Sequence, residues 1–182
     1  MNPTGGVRLQ TPTSRGDDLL AQVEEAKAYK KRLEAAGRAA EKAAFNAYCF
    51  RDAKGEPQVN NWHHLKWFDL AELNDRLLVE AAREHSKTQV FATTTPLYEI
   101  FADPNVRILL VSDNYSKSQE RCKVLKEHIY RNRYIPEFMG REINIWSRKG
   151  DEEFTVTRPF YWLKEPTVRS TYAGGPIAGG GA

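Results

Sequence analysis

The chain has 182 residues, with 27 Lys and Arg against 24 Asp and Glu, a net charge of +3 and 41% hydrophobic residues. That length can enclose one domain with a core, and the composition is ordinary for a soluble globular protein. No run of about 18 apolar residues occurs, which excludes a transmembrane helix, and so small a net charge does not by itself point to nucleic acid.

Met1-Asn2-Pro3-Thr4-Gly5-Gly6 lacks the apolar core of a signal peptide, and Cys49 and Cys122 form no metal or disulfide pattern. The expected setting is therefore a reducing cytoplasm. Residues 1–16 are rich in Gly, Pro, Thr and Ser and predict a disordered tail. Asp17 and Asp18 then place acid at the positive end of a long helix running to about Phe50. Leu19, Ala26, Leu33, Ala40 and Ala47 recur every seven residues, interleaved with Gln22, Tyr29, Ala36, Ala43 and Phe50. Two roles fit this alanine-rich stripe: packing on its own domain, or docking a partner. Arg51–Gln58, with Gly55 and Pro57, is a polar break, so residues 17–58 read as helix and linker. A second helix is predicted from Trp62 to Leu73, carrying His63, His64, Trp67 and Phe68. Neighbouring histidines on a helix diverge, which argues against a shared metal.

Residues 59–182 carry the features that suggest a site. Leu77-Leu78-Val79 predicts a buried strand, followed by a small-residue loop, Lys87-Thr88 and a helix. Strand, loop, Lys-Thr, helix is the order of a phosphate-binding P-loop. A helix N-terminus offers free amide donors and partial positive charge, a lysine adds a point charge, and a neighbouring hydroxyl can ligate magnesium. In the pattern G-x-x-x-x-G-K-[ST], however, Ala81 stands in the first glycine column and Ser86 in the second.

After Lys87, the helix is expected to turn Val90, Phe91, Leu97, Ile100 and Phe101 inward, with Pro96 kinking or breaking it. Val106–Val111 predicts a strand buried on both faces, and Ser116 with Gln119 a capping box for a helix to about Asn132. Shorter strands are expected at Ile143–Ser147, Phe154–Arg158 and Val168–Thr171, before a glycine-rich stretch from Gly174 to Gly181. The order β, α, β, α predicts an α/β fold with a mostly parallel sheet flanked by helices, and ligands in such sheets sit at the carboxyl ends of strands. Between Lys117 and Lys149, nine basic residues face four acidic ones, so this segment is either a polyanion-facing surface or a solvated helix face.

Ala81-Ala82-Arg83-Glu84-His85-Ser86-Lys87-Thr88 resembles the P-loop of the large terminase subunits of tailed bacteriophages, which often reads A-P-R-G-H-x-K-[ST]. His64 and Trp67 upstream are similar to the lead-in helix of that family. Asp103–Ser112 downstream is similar to its second strand, and Trp146, Phe154–Arg158 and Glu165–Val168 to the stretch before its hydrolysis strand. The resemblance implies a P-loop NTPase fold and an ATP-driven motor that moves double-stranded DNA into a capsid. Its implied cofactors are ATP and Mg2+. Its implied partners are a portal protein, a small terminase subunit and further copies in a ring, in the cytoplasm of an infected bacterium at the procapsid portal. By position, Arg83 and Lys87 would be catalytic, Arg83 reading the γ-phosphate. Glu84, His85, Ser86, Lys87 and Thr88 would bind nucleotide, and Thr88 the metal.

Glu84 departs from the family by placing a carboxylate where glycine is common. The acidic pair of the hydrolysis strand would follow Gly174–Gly181 and has no counterpart before Ala182, so the implied core is incomplete, lacks the nuclease domain, and should hydrolyse ATP weakly or not at all. Leu109–Asp113 is an apolar run ending in acid, but it sits in the wrong place in the family's order. Two alternatives remain: a DNA-binding or scaffold module with a degenerate loop, and another P-loop translocase such as a helicase.

Overall fold

The computed structural model describes residues 15–52, 54–159 and 165–173. The expected tail over residues 1–14 and the stretch from Gly174 to Gly181 lie outside these; Arg15 and Gly16 already belong to the first helix.

Helix α1 spans Arg15–Cys49. Its residues 24–34 are all exposed, and it carries local ion pairs such as Lys27–Glu24 at 2.8 Å. Burial begins at Ala35 and continues at Ala39, Lys42, Asn46 and Cys49, a four-three-four-three spacing that marks one helical face. This corrects the expected stripe. Tyr29 and Leu33 are 64% and 57% exposed, because residues 24–34 are exposed on every side, while Ala43 and Phe50 of the same stripe are buried further along. The C-terminal half of α1 therefore packs on its own domain. Its Phe45 meets Phe50, Tyr98 and Phe138 edge to face at 5.6–6.0 Å.

Helix α2 spans Trp62–Leu73, as its sequence predicts, and lies along α1 with His64, Trp67 and Phe68 buried. Three helical pieces follow without a break: α3 (Lys87–Gln89), a π-helical turn (Val90–Thr94) and α4 (Thr95–Ala102). Pro96 does not break this run. It falls in the first turn of α4, where a missing N–H costs least, and the widened turn precedes it. Val90, Leu97, Ile100 and Phe101 are buried as expected, with Phe91 half-buried. Polar groups tie the run to α1. Lys42, almost wholly buried, pairs with Glu72 of α2 and Glu99 of α4, and Arg38 donates to the same two carboxylates. The hydroxyl of Thr94 donates to Asn46 Oδ1 at 2.6 Å, and Asn46 donates to Asn60 at 2.7 Å.

The sheet has the order β1 (Ile108–Ser112), β4 (Val168–Tyr172), β3 (Glu153–Val156), β2 (Ile145–Lys149). Only β1 and β4 run parallel; β4–β3 and β3–β2 are antiparallel. The sheet is thus mixed rather than mostly parallel, because a short turn at Gly150 joins β2 to β3 and a turn that short can only connect antiparallel strands. Helix α5 (Tyr115–Arg131) and the short α6 (Tyr134–Met139) complete the fold. The sequence does not announce α6, and the expected cap of α5 falls two residues late. Asn114 is the cap, its side chain accepting from the Ser116 amide at 2.8 Å in place of the expected Ser116–Gln119 box.

Two further expectations fail. Leu77–Val79 forms no strand: it enters no ladder of the sheet, and Leu78 is 84% exposed. Only Val79 and Ala81 reach a core, the cluster of Ala39, Ala43, Trp67, Phe68 and Val90. Strand β1, expected to be buried on both faces, is buried on one. Ile108 and Leu110 pack on the main core, while Leu109 and Val111 remain 46% and 57% exposed. Both cysteines sit in that core, where burial pushes Cys49 up to about 12 and Cys122 up to about 11, so neither is a thiolate at neutral pH.

Candidate functional site

The loop from Ala81 to Ser86 links an extended segment to the first turn of α3. Among the described residues, Glu84 (φ 68°) and Ser86 (φ 58°) are the non-glycine residues in the left-handed region. Each costs about 1–2 kcal/mol in backbone strain relative to ordinary conformations, and such strain concentrates where a loop must hold a special shape. Ser86 occupies the second glycine column of the P-loop pattern, and Glu84 the column where the resembled family often has glycine. The backbone thus adopts at both positions the conformation glycine would supply. The expected gain from Ser86→Gly is about 0.5–1 kcal/mol of stability, the relieved strain less the extra entropy of the unfolded chain. Thermal denaturation of that variant checks it, and a lower melting temperature would count against the strain.

Lys87 stands at the start of α3 and folds back over the loop. Its ammonium donates to the carbonyl oxygen of Ala82 at 2.7 Å and to that of Ala81. The helix closes behind it, the Val90 amide donating to Ser86 O at 3.0 Å. Within the loop, His85 Nδ1 lies 3.0 Å from Arg83 O; a carbonyl can only accept, so this nitrogen carries the proton.

Lys87 and the exposed Thr88 line a cavity of about 490 Å3 together with Asn74, Asp75, Leu77 and Val79. Asp75, which belongs to no recognisable motif in the sequence, is set by the fold in the cavity that Thr88 also lines. Arg83, Glu84 and His85 are exposed, and none of the three lines that cavity. Of the predicted residues, Lys87 and Thr88 are therefore brought together, and Arg83 is not placed with them. Among the described residues no cluster of three or more His, Cys, Asp or Glu side chains could hold a metal ion. The oxygen donors lining the cavity, the Thr88 hydroxyl and the Asp75 carboxylate, are hard ligands of the kind magnesium takes beside nucleotide and water oxygens.

His64 fastens the loop to α2. Its Nδ1 accepts from the Asn61 amide at 3.2 Å, which leaves Nε2 as the donor to His85 O at 3.3 Å. Burial, then the neighbouring His63, holds its pKa below the ordinary value, against the opposing hydrogen bond to His85. A second proton on Nδ1 would face the Asn61 N–H and break that contact. Because the folded value is depressed, the unfolded chain binds protons more readily. The stabilisation is complete above the unfolded pKa of about 6.5 and is lost as pH falls through the window below it. His64→Gln should flatten the pH dependence of stability in that window. Burial depresses His128 as well, so a residual slope of the same sign should remain. Melting temperatures measured at a series of pH values test this, and an unaltered slope in the variant would refute the role of His64.

The basic segment from Lys117 to Lys149 is not a single face. Lys117 pairs with Asp113 at 3.1 Å, and Lys126 is buried, donating to Gly150 O at 2.6 Å. Arg131 and Arg133 are exposed and line a separate cavity. No helix among the described residues is long and apolar enough to cross a membrane. No family model, curated protein or solved structure matches the chain.

Proposed function

We propose that the chain binds ATP at the Ala81–Thr88 loop, as the nucleotide-binding part of a P-loop motor of the terminase large-subunit type. The observation that carries the reading is the pair of left-handed residues, Glu84 and Ser86, immediately before Lys87-Thr88 at a helix start. Alternating left- and right-handed backbone is how short loops gather amide donors around an anion. In this reading Lys87 exchanges the Ala81 and Ala82 carbonyls for the outer phosphates, Thr88 holds the magnesium, and Glu84 to Ser86 wrap the phosphates. Arg83, exposed beside the loop, would reach the γ-phosphate only after moving toward it. The bound nucleotide supplies the free energy of phosphoanhydride cleavage. The work it drives would be translocation of double-stranded DNA into a capsid, in a ring of copies at the portal with a small terminase subunit, in the cytoplasm of an infected bacterium.

The test is equilibrium binding of a fluorescent ATP analogue with and without Mg2+. Magnesium-dependent binding supports the proposal, and no binding in either condition would sink it. A second reading, a nucleic-acid-binding module with a degenerate loop, is favoured by one observation: Leu77–Val79 stays outside the sheet, whereas a P-loop strand normally belongs to it.

A further inference from the structure

A second cavity, of about 570 Å3, lies between the end of α1, the segment Arg51–Gln58, α3 and the junction of α5 with α6. Its lining includes Arg51, Arg131, Arg133, His128, Gln58 and Gln89, with Glu127 as the one acidic residue. Among the described residues no carboxylate lies within ion-pair distance of any of the three arginines. Arg38, Arg107 and Arg169, by contrast, each hold a carboxylate.

Arg51 is held in place from two sides. A small hairpin presents it: Arg51 bridges to Pro57, the Gln58 amide donates to Phe50 O at 3.0 Å, and the Asp52 carboxylate accepts from the amides of Lys54 and Glu56 at 2.8 and 2.9 Å. Its guanidinium lies over the Tyr134 ring, 4.5 Å from the centroid. Stacking uses the flat face of the guanidinium and leaves its in-plane N–H donors free. One of them, Nε, is buried without a hydrogen-bond partner, a state that costs free energy unless an acceptor arrives. A planar fork of donors, fixed by an aromatic ring and flanked by two more guanidinium groups, matches an oxyanion with several acceptor oxygens. His128 supports this. Its Nδ1 lies 3.3 Å from the Asn132 side-chain amide and accepts from it, so Nε2 is left as a donor.

We propose that this cavity binds a phosphate ester, with Arg51 as the fixed bidentate donor and Arg131 and Arg133 as closing charges. The inference does not rest on nucleotide binding at Lys87, and no residue of that loop lines the cavity. The phosphate could belong to a polynucleotide backbone or to a free nucleotide or pyrophosphate, and the experiment separates them. The full chain carrying Lys87→Ala, which removes the lysine at the end of the loop, is titrated calorimetrically with inorganic pyrophosphate, AMP and a short DNA duplex. The same titrations follow on Arg51→Gln/Arg131→Gln in that background.

The expected result is at least about a tenfold loss of affinity in the double variant, and a salt dependence that falls with each phosphate contact removed. The loss seen with the duplex assigns a polynucleotide backbone; the loss seen only with pyrophosphate or AMP assigns a free phosphate ester. Either outcome supports the site. Binding of every probe unaffected by the substitutions, or no binding at all, overturns it. Arg51→Lys keeps the charge and loses the fork, so it should lose most of the affinity as well. Should Arg51→Gln fail to fold, Arg131→Gln/Arg133→Gln, both at exposed positions, carries the same test.

Discussion

ATP with Mg2+ will raise the melting temperature of the chain, and Lys87→Ala will abolish that rise. At a free ligand concentration about 100 times the dissociation constant, binding adds about 2.7 kcal/mol to stability, which for a chain of this size is about 5–10 °C. Lys87 is the residue on which the effect should turn. It brings the one full positive charge to the start of α3, beside the left-handed Ser86, and lines the cavity that Thr88 shares. Its removal also deletes two hydrogen bonds to the Ala81 and Ala82 carbonyls, so the variant should start about 1 kcal/mol less stable. The quantity to compare is therefore the ligand-induced shift and not the starting temperature. Thr88→Ala should shrink the shift and its dependence on Mg2+ without removing the phosphate contacts. In an assembled motor, Lys87→Ala should stop ATP-driven DNA packaging, and packaging at the normal rate would end the motor reading. A chain that binds DNA, ignores ATP and shows no shift would instead be the nucleic-acid module.

Phe45→Ala will destabilise the fold by about 3–5 kcal/mol, the usual cost of emptying a fully buried aromatic site. Phe45 is 0% exposed and is the point where α1 enters the main core, edge-on to Phe50, Tyr98 and Phe138. Tyr29→Ala is the matched control on the same helix: its ring is 64% exposed, and its loss should stay within about 0.5 kcal/mol. Urea denaturation of the two variants measures both. Equal effects would mean that α1 is not divided into a packed and an unpacked half.

Where the sequence carries its own punctuation, the structure follows it. Helix α2 begins after Asn61 and ends before Asn74-Asp75, and its bounds are those read from the residues. Strand β4 and the long α1 were visible for the same reason. The three consecutive apolar residues Leu77-Leu78-Val79 carry no period, so nothing in them says whether a partner strand exists, and the prediction of a buried strand failed there. Val106–Val111 likewise hides which face is covered, because Leu109 and Val111 are as apolar as the buried Ile108 and Leu110. The loop residues were legible from Lys87-Thr88 and from the family resemblance, yet the grouping of Asp75 with Thr88 was not. The arginine cavity had no local signal at all. Arg51 and Arg131 are far apart in sequence and line one cavity where Asn132 donates to Cys49 O at 2.8 Å and Tyr134 stacks under Arg51.

Helix α1 also implies a gradient of local opening. At about 1.5 Å per residue its 35 residues make a rod of about 50 Å. Over residues 24–34, all exposed, the amides are protected only by the helix's own ladder and can open locally at little free-energy cost, while those from Ala39 onward open only when the core does. Gly37, with nothing within 4 Å of where a Cβ would stand, falls at the border between the two regimes. It weakens the ladder there by about 1 kcal/mol relative to alanine, so local unwinding of the exposed stretch meets a soft step between the first buried residue, Ala35, and the continuous seam from Ala39.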